Sequence, residues 1–118
     1  MSMFSFLSCA SADNGNLDPN QFAEQVKDTS IVQLVDVRTA PEYVEGHIKG
    51  AVLIDVSSND FLDRALASLD KEKPVAVYCR SGARSSFAAQ MLRKQGYKVY
   101  NLSGGVGSWL RAGKALEK

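Results

Sequence analysis

A chain of 118 residues supports one domain and is short for two. Its 45% hydrophobic and 23% charged residues are ordinary for a globular protein. A formal net charge of +1 excludes a global pull toward nucleic acid or an anionic membrane, so any affinity for an anion must arise locally. No apolar run approaches the roughly 20 residues that span a bilayer.

Met1 to Ala10 is apolar in flavour, but serines interrupt it and no basic region precedes it. A flexible N-terminal segment over residues 1–16 is expected, followed by one domain over 17–118. The two cysteines, Cys9 and Cys79, do not form a disulfide framework, which suits a reducing, cytoplasmic compartment. The alternative is a truncated export signal or a lipid-modified Cys9. Ser11 to Asn16 reads as turn and loop.

Asp18 is placed to cap a helix that opens on Pro19 and runs to about Lys27, with Phe22 and Val26 on one face. Ile31 to Val37 is almost wholly apolar and rich in β-branched residues, as in a parallel strand buried on both faces. Thr39 or Ala40 leads into a short helix with Pro41 near its start, and Gly46 stops it. Gly46-His47-Ile48-Lys49-Gly50 is a glycine-bracketed turn before a strand over 51–54. Ser57 to Asp60 offers helix caps, and Phe61, Leu62, Ala65, Leu66 and Leu69 form the expected inward face. Pro74 opens a strand over Val75–Tyr78 without interrupting it. A helix is expected from about Ser85 to Gln95, with Phe87, Ala88, Met91 and Leu92 inward and Gly96 as its stop. A strand over 98–102, a Ser103-Gly104-Gly105 turn and a helix carrying Val106, Trp109 and Leu110 complete the chain. This alternation implies an α/β fold, a parallel sheet covered on both faces, with sites beyond the carboxyl ends of its strands.

Cys79 stands at such an end. A thiol attacks only as thiolate, and an ordinary cysteine is mostly protonated at neutral pH. Here the following helix presents its positive end. The amides of a loop built on Ser81, Gly82 and Ala83 can converge as an anion-binding nest. Arg80 and Arg84 add positive charge. Each of these features favours a thiolate and an anionic substrate. The simpler alternative is a cysteine that serves as a small hydrophobe at a buried strand end. The immediate switch to Arg-Ser-Gly-Ala-Arg-Ser weighs against it.

The order of several pieces resembles the single-domain rhodaneses, which are thiosulfate or persulfide sulfurtransferases. These pieces are Asp36-Val37-Arg38, Glu42-Tyr43, Gly46-His47-Ile48 with Gly50-Ala51, Tyr78 to Ser85, and Leu102 to Gly105 followed by Trp109. The resemblance covers about Asp18 to Gly113 and implies a rhodanese-like fold. It implies that Cys79 takes the outer sulfur of a donor, becomes a persulfide and passes that sulfur to a thiophilic acceptor, without metal or organic cofactor. The implied binding set is Arg80, Ser81, Gly82, Ala83, Arg84 and Ser85, with main-chain N–H groups around the persulfide. The expected partners are a small-molecule sulfur donor and a thiol or cyanide acceptor, with a protein thiol as a further acceptor class. No nucleic acid or membrane span is expected, and a monomer is the default state. A persulfide carrier for a specific partner and a non-catalytic binding module are the competing readings.

Four residues separate Cys79 from Arg84. The related cell-cycle phosphatases place five there, in a wider cradle suited to phosphate. Ser85 occupies the position that would need that arginine, and Tyr78 rather than histidine precedes Cys79. Sulfur transfer is favoured over phosphate or arsenate chemistry.

Asp36, Arg38, Glu42 and His47 are expected to support the site structurally. The pairs anticipated are Arg38 with Glu42, or Asp36 with a loop arginine. Glu45 is likewise structural. The family resemblance gives His47 a bond to backbone near the following strand rather than a catalytic role. Ser85 and Ser86 would help to cap the helix, Trp109 would anchor the last helix, and Gly104-Gly105 would make a tight turn.

Overall fold

The computed structural model describes residues 15–118. Strands β1 (Asn16–Leu17), β2 (Gln33–Asp36), β3 (Val52–Leu53), β4 (Val75–Tyr78) and β5 (Val99–Leu102) form one parallel sheet in the order β1-β5-β4-β2-β3. Helices α1 (Pro19–Val26), α2 (Ala40–Glu45), α3 (Phe61–Ser68), α4 (Ala83–Lys94) and α5 (Gly105–Arg111) alternate with them. Strand β4 lies at the centre, with Val35 beside Val77 and Asp36 beside Tyr78.

The side chains of β4 alternate between two cores, as strand geometry requires. Val75, Val77 and Cys79 join Ala65, Ala88 and Leu92 of α3 and α4. Ala76 and Tyr78 join Phe22, Val26 and Trp109 of α1 and α5. This parity places the Cys79 side chain on the α4 side. Both faces of the sheet are covered, as the alternation of elements implied.

Local chemistry accounts for the helix starts. The Asp18 carboxylate accepts from Gln21 N at 2.8 Å, and Gln21 returns its side-chain oxygen to Asp18 N. This reciprocal cap, with Pro19 at the first position, fixes α1. In α2 the Glu42 carboxylate accepts from Thr39 N and Thr39 Oγ1, both at 3.0 Å.

Several expectations need correction. Asn16, read as loop, stands in β1 beside Asn101, because Asn101 N donates to Gly15 O and Ser103 N to Leu17 O. The expected strand over 31–37 shrinks to β2, and Ile31 is exposed. It lies beyond the Gln33 side chain, which ties the start of β2 to Asp70 O and Lys73 O. Helix α4 starts at Ala83 rather than Ser85, and its buried face is Ser85, Ala88, Ala89 and Leu92. Phe87, at 58% exposure, lies outside that face. Leu66 and Leu110 are exposed for the same reason of helical phase, since each residue advances about 100° around the axis. Asp60 makes no side-chain cap bond to α3. Residues 1–14, with the readings placed on Cys9 and the N-terminus, lie outside the described residues. No helix of the described residues is long and apolar enough to cross a membrane.

Candidate active site

Strand β4 is buried throughout and delivers Cys79 to the carboxyl edge of the sheet, where its side chain is fully buried. The chain then turns at Gly82, whose φ of +105° lies in the left-handed region that favours glycine. That turn directs Gly82 N to Cys79 Sγ at 3.1 Å. One turn into α4, Ser85 Oγ lies 3.4 Å from the same sulfur and 3.2 Å from Gly82 O. The amides of Ser81 and Ser85 add to this cradle. Burial pushes the thiol up, but the Ser85 hydroxyl and the amides of Ser85, Gly82 and Ser81 outweigh it and hold Cys79 below its ordinary value.

The two loop arginines separate. Arg84 turns away to Glu42 of α2, with Nη1–Oε1 2.9 Å and Nη2–Oε2 3.0 Å. The Arg84 pairing is the first cause that holds the Glu42 carboxyl down to about 2. Arg80 is exposed and forms no ion pair among the described residues. Ala83 opens α4 with an exposed side chain.

The anticipated charge pairs also rearrange. Asp36 is fully buried and binds Arg38 rather than a loop arginine, accepting from Arg38 N at 2.9 Å, Nε at 3.0 Å and Nη2 at 2.7 Å. Arg38 Nη2 also donates to Gly46 O at 2.6 Å. Burial works against the Arg38 charge, yet Asp36 more than compensates and raises it. A two-residue separation at the end of β2 lets the fork close on its own strand, which leaves Glu42 free for Arg84. The Arg38 guanidinium lies 5.6 Å from the centre of the Tyr78 ring, and Tyr78 Oη accepts from Ile48 N at 3.0 Å. Burial, then Asp36, pushes the Tyr78 hydroxyl far up, so it stays protonated.

His47 stacks on Tyr43, with ring centres 3.9 Å apart, and Nδ1 donates to Tyr43 O at 2.9 Å. Its backbone partner thus belongs to the preceding helix, not the following strand. Its own N–H and carbonyl pair with Glu117.

The sequence reading missed the part played by α5. Val106 N donates to Cys79 O at 2.9 Å, and Gly107 N to Arg80 O at 3.2 Å. These bonds hold the loop carbonyls toward α5. A Cβ at Gly105, whose φ is +59°, would lie 2.5 Å from Cys79 O and from the Arg80 carbonyl. The Gly104-Gly105 pair is therefore a close approach between α5 and the loop as well as a turn. The paired glycines were the available signal. Beside this contact, α2, α5 and Arg80 enclose a cleft of about 420 Å³.

The arrangement can stabilise a thiolate, present it to a small anion and hold negative charge on an added atom. Among the described residues, no group of three or more His, Cys, Asp or Glu side chains is disposed to hold a metal ion.

Comparison with known proteins places this geometry in a family. The family model described as "Rhodanese-like domain" matches residues 18–112. A protein named "Sulfurtransferase" from Allochromatium vinosum is 37% identical over 98 residues, covering 82% of this chain and 89% of its own. The thiosulfate sulfurtransferase GlpE of Coxiella burnetii is 42% identical over 88 residues, covering 73% of this chain and 78% of its own. Among solved structures, the Anabaena sp. Alr3790 protein is 30% identical with a TM-score of 0.76, covering 86% of this chain and 81% of that one. The chain belongs to the rhodanese-like domain family.

Proposed function

We propose that this protein is a sulfurtransferase that carries sulfane sulfur on Cys79. The reading rests most heavily on the sulfur of Cys79, set 3.1 Å from Gly82 N and 3.4 Å from Ser85 Oγ in a loop with four residues between Cys79 and Arg84. The loop amides and the Ser85 hydroxyl stabilise the attacking thiolate. Relatives named thiosulfate sulfurtransferase support thiosulfate as the donor class.

In the first step the Cys79 thiolate attacks the outer sulfur of thiosulfate. The sulfur–sulfur bond of the donor breaks, and sulfite leaves with the electron pair. In the second step a thiolate or cyanide attacks the outer sulfur of the persulfide, and the Cys79 thiolate leaves. The result is a ping-pong exchange without net change in the enzyme. Ser81, Gly82 and Ser85 stabilise the persulfide anion, Arg80 attracts the donor, Arg84 and Ala83 set the loop in place, and Asp36, Arg38, Glu42 and His47 support it.

Intact mass after exposure to thiosulfate tests the reading. A gain of one sulfur, absent in Cys79→Ser, and thiocyanate formation on adding cyanide are expected. Hydrolysis of aryl phosphates without thiocyanate formation would overturn it in favour of a phosphatase. Failure of the wild-type chain to gain sulfur would overturn it in favour of a binding module.

A further inference from the structure

Strand β5 carries a buried polar side chain that the proposed reaction does not use. Asn101 stands beside Val77 and is 3% exposed. Val77, Cys79 and Val99 project to the α4 side of the sheet, and Asn101, two residues after Val99, does the same. Its amide nitrogen uses both hydrogens. Nδ2 donates to Asn16 Oδ1 of β1 and to Ser86 Oγ of α4, each at 3.1 Å. Its Oδ1 is buried with no hydrogen-bond partner among the described residues. An unpaired buried carbonyl costs stability. An apolar side chain, as at Val77 and Val99 on the same face, would avoid that cost. The bonds made by Nδ2 are therefore what distinguishes this position.

Ser86 follows Ser85 in the first turn of α4. Ser86 N donates to Gly82 O at 3.0 Å, and the same carbonyl accepts from Ser85 Oγ at 3.2 Å. Gly82 N and Ser85 Oγ reach Cys79 Sγ from this turn, at 3.1 and 3.4 Å. A bond that ties Ser86 to the sheet thus restrains the groups set against the sulfur. We propose that Asn101 is a positioning residue for sulfur transfer. Its bond to Ser86 fixes the first turn of α4, so that the Ser85 hydroxyl and the loop amides stay within reach of the Cys79 thiolate and its persulfide. This proposal rests on the sulfurtransferase reading and adds a residue to the support of that site. Asn101 acts through Ser86 and is not itself hydrogen-bonded to the sulfur.

The test follows loading of the full-length protein by thiosulfate, as mass gained, across a series of pH values. Asn101→Leu removes the donor together with the unpaired oxygen. Ser86→Ala removes the same bond from its other end and carries the test if Asn101→Leu fails to fold. At neutral pH each should load about two- to tenfold more slowly, the net worth of one hydrogen bond. The acid limb of the loading profile should move to higher pH together with the thiolate absorbance, and the rate should recover at alkaline pH. Tyr97→Phe is the control. It removes the bond from Tyr97 Oη to Leu69 O in the same core, away from the first turn of α4. It should lower stability and leave the profile in place. Asn101→Leu combined with Ser85→Ala should shift the profile by less than the sum of the two single shifts, because both act on one contact. Unmoved profiles in Asn101→Leu and Ser86→Ala, an equal shift in Tyr97→Phe, or additive shifts in the double variant would overturn the role of Asn101 alone. Absence of loading in the wild-type chain would overturn the sulfurtransferase reading and this proposal with it.

Discussion

The Arg84 guanidinium donates two hydrogen bonds to the Glu42 carboxylate, at 2.9 and 3.0 Å, and so joins the start of α4 to α2 across 42 positions of sequence. One of the two cations next to Cys79 is thereby neutralised, and Arg80 remains as the one without an ion pair among the described residues.

This pair makes stability depend on pH in the acid range. The Glu42 carboxyl lies at about 2 in the folded chain, held there first by Arg84, against an ordinary value of 4.5. A native value below the unfolded one means that the unfolded chain takes up protons first on acidification. The stabilisation is complete above about 4.5 and disappears as pH falls toward 2. Both side chains keep about a third to a quarter of their exposure, so screening limits the contribution to about 1 kcal/mol. Urea midpoints measured across this range should fall less steeply in Glu42→Gln than in the wild type. Identical slopes would show that the pair carries no net stability.

Ser85 bears on the Cys79 thiol. Its hydroxyl is the largest of the influences that lower the Cys79 thiol, against the upward push of burial. Ser85→Ala should raise that thiol toward its ordinary value, since a hydrogen bond to a charged group is worth about 1.5–3 kcal/mol. The ultraviolet absorbance of the thiolate and the pH profile of loading by thiosulfate should shift upward together. An unmoved profile would assign the activation to the loop amides alone.

Asp36 and Arg38 form a buried unit. Asp36→Ala would leave the Arg38 guanidinium 5% exposed with Gly46 O as its remaining hydrogen-bond acceptor. Stranding one member of a buried pair costs about 3–5 kcal/mol. Calorimetry should show a large drop in Tm. The double substitution Asp36→Ala with Arg38→Leu should recover part of the loss, and failure to recover any of it would mean that Asp36 acts through other partners.

Gly105 should tolerate no side chain. Gly105→Ala would set a methyl group 2.5 Å from Cys79 O and the Arg80 carbonyl at a φ of +59°. Left-handed strain alone costs about 1–3 kcal/mol. The protein should lose stability, and the folded fraction should load sulfur more slowly because the loop is displaced. By contrast, Gly113→Ala has open space around it at a similar φ, and should lower stability without slowing loading. Equal loading rates in the two variants would remove α5 from the support of the loop.

The elements and their order followed from local signals. Asp18-Pro19 marks a helix start, and the β-branched run at Val75–Val77 marks a buried strand. A cysteine at the end of such a strand, followed by a small-residue turn and a helix, already points amides at one sulfur. All of this depends on neighbours within a few residues. The phase of a helix against its sheet does not, so Phe87 was misassigned. It is apolar and sits at helical spacing, but the buried face of α4 is Ser85, Ala88, Ala89 and Leu92, which leaves Phe87 exposed.

Pairing between charges was likewise undetermined by the chain alone. Asp36, Arg38, Glu42, Arg80 and Arg84 allow several combinations of partners, and sequence separation does not rank them. Tertiary structure chose Asp36–Arg38 and Glu42–Arg84 because the end of β2 closes on itself while α2 faces the start of α4. The same is true of Gly105, whose requirement for a bare backbone exists only because α5 packs against the loop. Sequence by itself determined the α/β order and a cysteine set at a strand end before a small-residue turn, since strand parity and turn chemistry are local. Tertiary structure alone decided which charges are neutralised and which stay without an ion pair among the described residues, since that depends on distances between segments far apart in the chain.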